Sequence, residues 1–239
     1  MKLLLLSNST NPGEEYLGWA KGYIRDFLEN RPATALFIPY AAVRFEYEAY
    51  EAKVDAVFSE MGCQVQSIHR AENPVRAVEK AETIIVGGGN TWRLLQLMRE
   101  QCLFPFIKSK VASGIPYIGW SAGSNVACPT LKTTNDMPVI DPRGFNALNL
   151  VPFQINPHFL DVHPQGFGGE TREERILEFI ELNPQTFVLG LREGCLLKRE
   201  DNQLSLAGST TARLFRKGWI TREVEPGEDL SFLLKNLPV

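Results

Sequence analysis

The sequence predicts an α/β fold, a three-layer sandwich with a mostly parallel central sheet, and three observations lead there. Apolar runs of roughly four to six residues alternate with amphipathic segments of roughly ten to fifteen, the rhythm of βαβ units. Several of those runs end in Gly, Ser or Asn clusters, where such folds place ligands. At 239 residues and 44% hydrophobic content, the chain can also bury one sizeable core. With no internal repeat, low-complexity tract or linker in view, residues 1–239 read as one catalytic-sized domain.

The chain opens on "MKLLLLSNSTNPG". Its run of four leucines is short of the roughly 7–15 residues of a signal-peptide core, and it reads as a buried first strand. A helix is expected over about 14–28. "TALFIP" leads to a helix over about 46–61, "CQVQSIH" into 73–80, "TIIVGGG" into 91–99, and "IPYIGWS" into a segment beginning near Gly123. After Cys128 the rhythm changes. The stretch from "PTLKTTNDMP" to "VHPQGFGG" is dense in Pro, Gly, Asn and Asp and has no clean period. Loops of that length are functional or disordered, and scattered Phe, Leu, Ile and Val point to an ordered, site-forming segment. A helix over about 171–182, a strand "TFVLGL" and a hairpin-like pair "CLLKRE-DNQ-LSLAG" follow.

Charge and composition exclude several classes. Twenty-five basic residues against 28 acidic ones give a net charge of −3, and no basic stripe runs along the chain, so neither nucleic acid nor an anionic membrane is an expected partner. A small molecule or peptide fits better. No apolar stretch approaches the roughly 20 residues that span a bilayer. Cys63, Cys102, Cys128 and Cys195 form no C-x-x-C pair, as in a cytoplasmic protein with reduced thiols. Three histidines without H-E-x-x-H offer no metal-ligand set, and neither a metal nor a cofactor is expected. Whether the chain pairs into a homodimer is specified by no pattern in it.

Ligands in open α/β sheets bind beyond the carboxyl ends of the strands. That nominates Ser7-Asn8-Ser9, Tyr40-Ala41-Ala42, Gly87 to Thr91, and Gly119-Trp120-Ser121-Ala122-Gly123. The last is G-x-S-x-G between a strand and a helix-compatible segment, the setting in which a strained turn lifts a serine hydroxyl above the sheet. The bland reading of Ser121 is a small residue in a tight turn. A nucleophilic serine needs a base and usually a carboxylate behind it. His69 ends a predicted strand and reads as structural. His158, between Pro157 and Phe159, is favoured as base over His163, which lies in a polar Pro/Gly stretch. For the carboxylate, spacing alone does not choose among Asp136, Asp141, Asp161 and Glu193. Glu193 is favoured because it stands at a strand end, with Asp136 second.

"IIVGGGNTW" fails as a dinucleotide fingerprint, since Trp92 stands where the third glycine belongs. It fits an oxyanion hole in which the amides of Gly88, Gly89 and Ala122 face one oxygen, with Asn90 or Thr91 capping a helix. Thr171 and Glu174 form a capping-box pattern that puts Arg172 in the first helical turn. There a guanidinium either lies on the surface or forms, with the helix amides, a pocket for an acidic side chain.

Together "LLLLSNST", "IIVGGGNT", "YIGWSAGSNVACPT", "TTNDMP", "QINPHF" and "GETREERI" closely resemble the peptidase E family of α-aspartyl dipeptidases, in the same order from the N-terminus to about residue 195. The resemblance implies a glutamine amidotransferase-like fold and a serine peptidase cleaving dipeptides with N-terminal aspartate. It implies Ser121 as nucleophile, His158 as base, Glu193 as third member and Arg172 as partner of the substrate β-carboxylate; Asn90 and Asp136 are further candidates for substrate binding. Ser124 departs from the alanine expected there, and the tail after about Gly208 matches poorly. A cyanophycinase-like peptidase on β-aspartyl polymers and a non-catalytic sensor of acidic metabolites are the rival readings.

Overall fold

A computed structural model of the chain describes residues 1–29, 33–161 and 168–235; His163 lies outside them. The first strand, β1 (Lys2–Leu6), shows why its apolar run is unbroken. Successive side chains point to opposite faces of a sheet, and both faces are covered: Leu3 and Leu5 belong to one buried cluster, Leu4 and Leu6 to another. Each of the four leucines is 0% exposed, and each stabilises the fold by about 2 kcal/mol.

From β1 the chain runs through a 3-10 turn (Gly18–Ala20) into α1 (Lys21–Phe27). This helix is shorter than expected because Leu17 takes a left-handed φ of 56°, which interrupts regular helix. β2 (Ala33–Ile38), α2 (Tyr47–Ser59), β3 (Cys63–Ser67), α3 (Pro74–Lys80), β4 (Thr83–Val86) and α4 (Thr91–Glu100) follow the expected alternation. α5 (Phe104–Ala112) is an addition to it. Pro105 reads as a breaker, yet it sits in the first turn, where no backbone N–H is required. β5 (Tyr117–Trp120) and the five-residue α6 (Ala122–Val126) complete this half.

As far as Asp161 the long irregular stretch is ordered, as its apolar content suggested, and residues 162–167 of it lie outside the described residues. Backbone bonds tie it to α6 and to itself, among them Leu148 N to Val126 O and Leu131 N to Phe145 O. The Arg99 guanidinium donates to the carbonyls of Pro142, Arg143, Gly144 and Asn146. Within the stretch runs a strand the pattern did not reveal, β6 (Gln154–Pro157). Then come α7 (Arg172–Leu182), β7 (Val188–Leu191), the hairpin β8 (Cys195–Glu200) and β9 (Gln203–Gly208), and two short strands, β10 (Ala212–Phe215) and β11 (Arg222–Val224).

Among the described residues the strands form two sheets. The larger has the order β3-β2-β4-β5-β1-β8-β9; β1 to β5 are parallel and the hairpin adds two antiparallel strands at the edge. α1 and α2 cover one face through Ile24, Phe27, Val54 and Phe58. The other face packs on α4 and α5 and on the second sheet, β11-β10-β7-β6, through Leu94, Met98, Ile107, Ile155, Leu189 and Leu214. The parallel pair β6 and β7 thereby brings its carboxyl ends beside those of β1 and β5. Arg192, just past β7, binds Asp161 and Glu223 and holds both carboxyls below their ordinary range.

Candidate active site

The turn after β5 is built by what its glycines leave out. A Cβ at Gly123 would lie 2.2 Å from Val86 O, and one at Gly119 would lie 2.6 Å from Gly123 O, so the turn can pack against β4 only without side chains there. Ser121, between them, holds φ 52° and ψ −110°, a strained conformation for a residue with a Cβ. Its amide donates to Leu6 O at 3.1 Å. Ser124, one helical turn along, is fully buried, and its hydroxyl reaches Leu6 O at 2.7 Å and Gly119 O at 3.0 Å. The serine at position 124 thus braces the turn and has no outlet to solvent.

His158 leaves β6 with a φ of 53°, and two side chains keep that left-handed turn in place. The Ser7 hydroxyl accepts from the His158 amide at 2.8 Å and donates to Leu191 O at 2.7 Å, linking the ends of β1, β6 and β7. From the other side Arg172 Nη1 donates to the carbonyls of His158 and Pro157. The ring then lies with Nε2 2.9 Å from Ser121 Oγ and Nδ1 2.7 Å from Glu193 Oε1. A hydroxyl donating to Nε2 and an Nδ1–H donating to the carboxylate is the tautomer this arrangement fits. Glu193 is held by its main chain: its carbonyl accepts from the Thr210 hydroxyl at 2.7 Å, and the next amide, Gly194, donates to Asn8 Oδ1 at 2.9 Å.

Of the other acids weighed, Asp136 does not reach the imidazole. Its Oδ2 accepts from the Thr91 amide at 2.7 Å and from the Thr91 hydroxyl, a carboxylate at the N-terminus of α4, where the helix dipole favours one. Asn90 caps the same helix through Arg93 N and donates to Met137 O. Asp161 is taken up by Arg192, and Asp141 Oδ1 accepts from Arg143 N. Thr171 and Glu174 form the expected capping box. Arg172 is half-buried, and loss of solvent presses its guanidinium below the usual arginine range, opposed by the nearby charges of Glu193 and Asp136.

Gly88 and Gly89 border Ser121; a Cβ at Gly88 would lie 3.1 Å from that of Ser121. Among the described residues the amides of Gly88, Gly89 and Ala122 donate to no protein acceptor. The peptide between Gly88 and Gly89 is oriented by Tyr50, whose hydroxyl donates to Gly88 O at 3.1 Å and accepts from Trp120 Nε1 at 3.1 Å. Because the peptide is planar and trans, fixing that C=O fixes the Gly89 N–H in the opposite direction. Burial pushes the Tyr50 phenol up, so it stays a donor. The cleft over these groups measures about 590 Å³ and continues along Tyr16, Phe45, Lys53 and Trp120. Among the described residues no group of three or more His, Cys, Asp or Glu could hold a metal ion, and no helix is long and apolar enough to cross a membrane.

Four residues at the site were not singled out by the sequence: Ser7 and Asn8 only as part of a nominated strand end, Tyr50 and Lys53 not at all. The helical spacing of Tyr50 with Val54 and Val57 reads as core, and nothing local marks its hydroxyl.

A serine set in a strained strand-to-helix turn over a parallel sheet, its hydroxyl on an imidazole, is the way serine-type hydrolases present a nucleophile. Within that class the chain belongs to peptidase family S51, which it matches over residues 3–207, and it is a serine-type peptidase. It is 49% identical to peptidase E of Nostoc sp. (strain PCC 7120) over 234 residues, 98% of this chain and 97% of the relative. To peptidase E of Escherichia coli O6:K15:H31 (strain 536 / UPEC) it is 47% identical over 227 residues, 95% and 99% of the two chains. These likenesses reach past Gly208, farther than the quoted strings suggested. A crystal structure of a peptidase from an acI-B1 Actinobacterium superposes with a TM-score of 0.73 over 97% of this chain and 96% of that one, at 17% identity, a likeness of fold.

Proposed function

We propose that the chain is a cytoplasmic dipeptidase, acting as one catalytic unit on dipeptides with N-terminal aspartate. The observation that carries this is the contact of Ser121 Oγ with His158 Nε2 at 2.9 Å, backed by Glu193 at 2.7 Å from Nδ1. Ser121 attacks the aspartyl carbonyl while His158 takes its proton, and the imidazolium is stabilised by Glu193. The amides of Gly88, Gly89 and Ala122 receive the oxyanion. His158 then protonates the leaving amine, and water, activated by the same imidazole, hydrolyses the acyl-enzyme. Arg172 is assigned to the substrate β-carboxylate; among the described residues its hydrogen bonds to carbonyls use Nη1, and the rest of its fork can grip a carboxylate. Asp136 is assigned to the α-ammonium, since both its bonds to Thr91 fall on Oδ2 and Oδ1 can face a cation, with Asn90 at the same rim.

The specificity is tested with Asp-Leu, Asn-Leu and Ala-Leu. The unmodified enzyme is expected to favour Asp-Leu, and Arg172→Met to lower kcat/KM for Asp-Leu about 100-fold, the worth of a charge-assisted hydrogen-bonded pair. Because Arg172 also steadies His158, Ala-Leu serves as the control for that second role. An Arg172→Met enzyme that still prefers Asp-Leu to Ala-Leu would place the acid pocket elsewhere.

Tyr50 gives a separate check on the oxyanion assignment. Tyr50→Phe keeps the ring but frees Gly88 O, and kcat is expected to fall about tenfold with KM little changed, less than deletion of a donor itself. A fall confined to KM would remove the Gly89 amide from the transition state.

A further inference from the structure

We propose that Lys53 receives the free C-terminal carboxylate of the leaving residue, and so makes the cleft a dipeptide site. The inference rests on the function proposed above and deepens it. Lys53 projects from α2 into the same cleft as Ser121 and His158. Its Nζ lies 4.1 Å from the centroid of the Tyr16 ring, a cation–π contact that holds a flexible ammonium in one place. The acids of α2 are occupied on other sides: Glu48 faces His69, Glu51 binds Arg70 and the Ser67 amide, and Asp55 accepts from Val65 N and the Ser59 hydroxyl. Among the described residues Lys53 has no carboxylate within ion-pair distance, whereas Lys2, Lys21, Lys198 and Lys217 each have one.

An exposed lysine is ordinarily just a solvated charge. This one stands at the end of an aromatic wall that begins at the nucleophile. Trp120 is buried and meets Tyr16 edge-on at 6.2 Å, and Phe45, half exposed, packs on Tyr50 at 5.0 Å. Such a surface suits the apolar side chain of a leaving residue, and a cation beside it suits the one charge that residue carries. A longer peptide has an uncharged amide at that position, so the lysine selects for chains that end after one leaving residue. Arg172 and Lys53 then bracket the scissile bond, one reading the acidic side chain and the other the terminal carboxylate.

The test compares Asp-Leu with Asp-leucinamide, and Asp-Leu with Asn-Leu, in the unmodified enzyme, Lys53→Met and Lys53→Arg. The acid is expected to exceed the amide in kcat/KM by about tenfold, the worth of a hydrogen bond to a charged group. In Lys53→Met that ratio is expected to collapse toward one, through KM, and in Lys53→Arg to return. A ratio unchanged by Lys53→Met overturns the proposal, and so does a change in the Asp-over-Asn ratio, which would make Lys53 the reader of the side chain. Absence of any Asp preference in the unmodified enzyme sinks the function proposed above, while the acid-over-amide ratio on whichever X-Leu peptide is cleaved still decides Lys53.

Discussion

Replacing Ser121 with alanine is expected to lower kcat for Asp-Leu by a factor on the order of 10⁵, the scale on which serine peptidases lose turnover with their nucleophile. The loss falls on kcat because the covalent route closes, while the cleft, the oxyanion amides and Arg172 stay where they were. Ser124 offers no substitute: it is fully buried, and its hydroxyl is engaged by Leu6 O and Gly119 O. Neither is stability at issue. An alanine in this turn inherits the same positive φ that Ser121 holds, and the serine hydroxyl makes no cap to α6, so the melting temperature should move little. Steady-state hydrolysis and a thermal melt on the same preparation separate the two effects. Turnover that survives in a folded Ser121→Ala protein would return Ser121 to the small residue of a tight turn.

What the sequence made legible follows the range of the interactions involved. The leucines of β1, the G-x-S-x-G turn and the capping box at Thr171 are local. Their residues meet within a few positions, so period and spacing report them. The second sheet is not local. Only β7, in the run "TFVLGL", is announced by the pattern. Strands β6, β10 and β11 are three or four residues long, and β6 pairs with β7 more than thirty residues away, so no run of apolar residues announces the sheet as a whole. The same limit applied in part to the carboxylate behind His158. Spacing alone does not separate Asp136, Asp141, Asp161 and Glu193; a strand-end position favours Glu193, and what sets its carboxylate against the imidazole is a sheet that brings the ends of β6 and β7 together. Tyr50 and Lys53 were hidden differently: on α2 they fit the ordinary roles of core aromatic and surface cation, and only the cleft shared with Ser121 distinguishes them.

Glu193→Gln puts that carboxylate to its sharpest test, with an expected loss in kcat on the order of 10⁴ and little change in KM. The substitution keeps the size and shape of the side chain. Its amide can present an NH₂ to His158 Nδ1, which favours the tautomer with the proton on Nε2, and an Nε2–H cannot accept the Ser121 proton. The missing charge also leaves the imidazolium of the transition state without its counter-ion. Asp136→Asn is the matched control: seated on Thr91 at the α4 N-terminus, it should act mainly through KM as the group facing the substrate ammonium. Were the Glu193 variant near full activity and the Asp136 variant the one with collapsed kcat, the supporting acid would be Asp136, and His158 would have to turn away from the 2.7 Å contact it makes with Glu193. That rotation would carry Nε2 off Ser121, because one planar ring makes both contacts, so the Ser121 and Glu193 assignments stand or fall together.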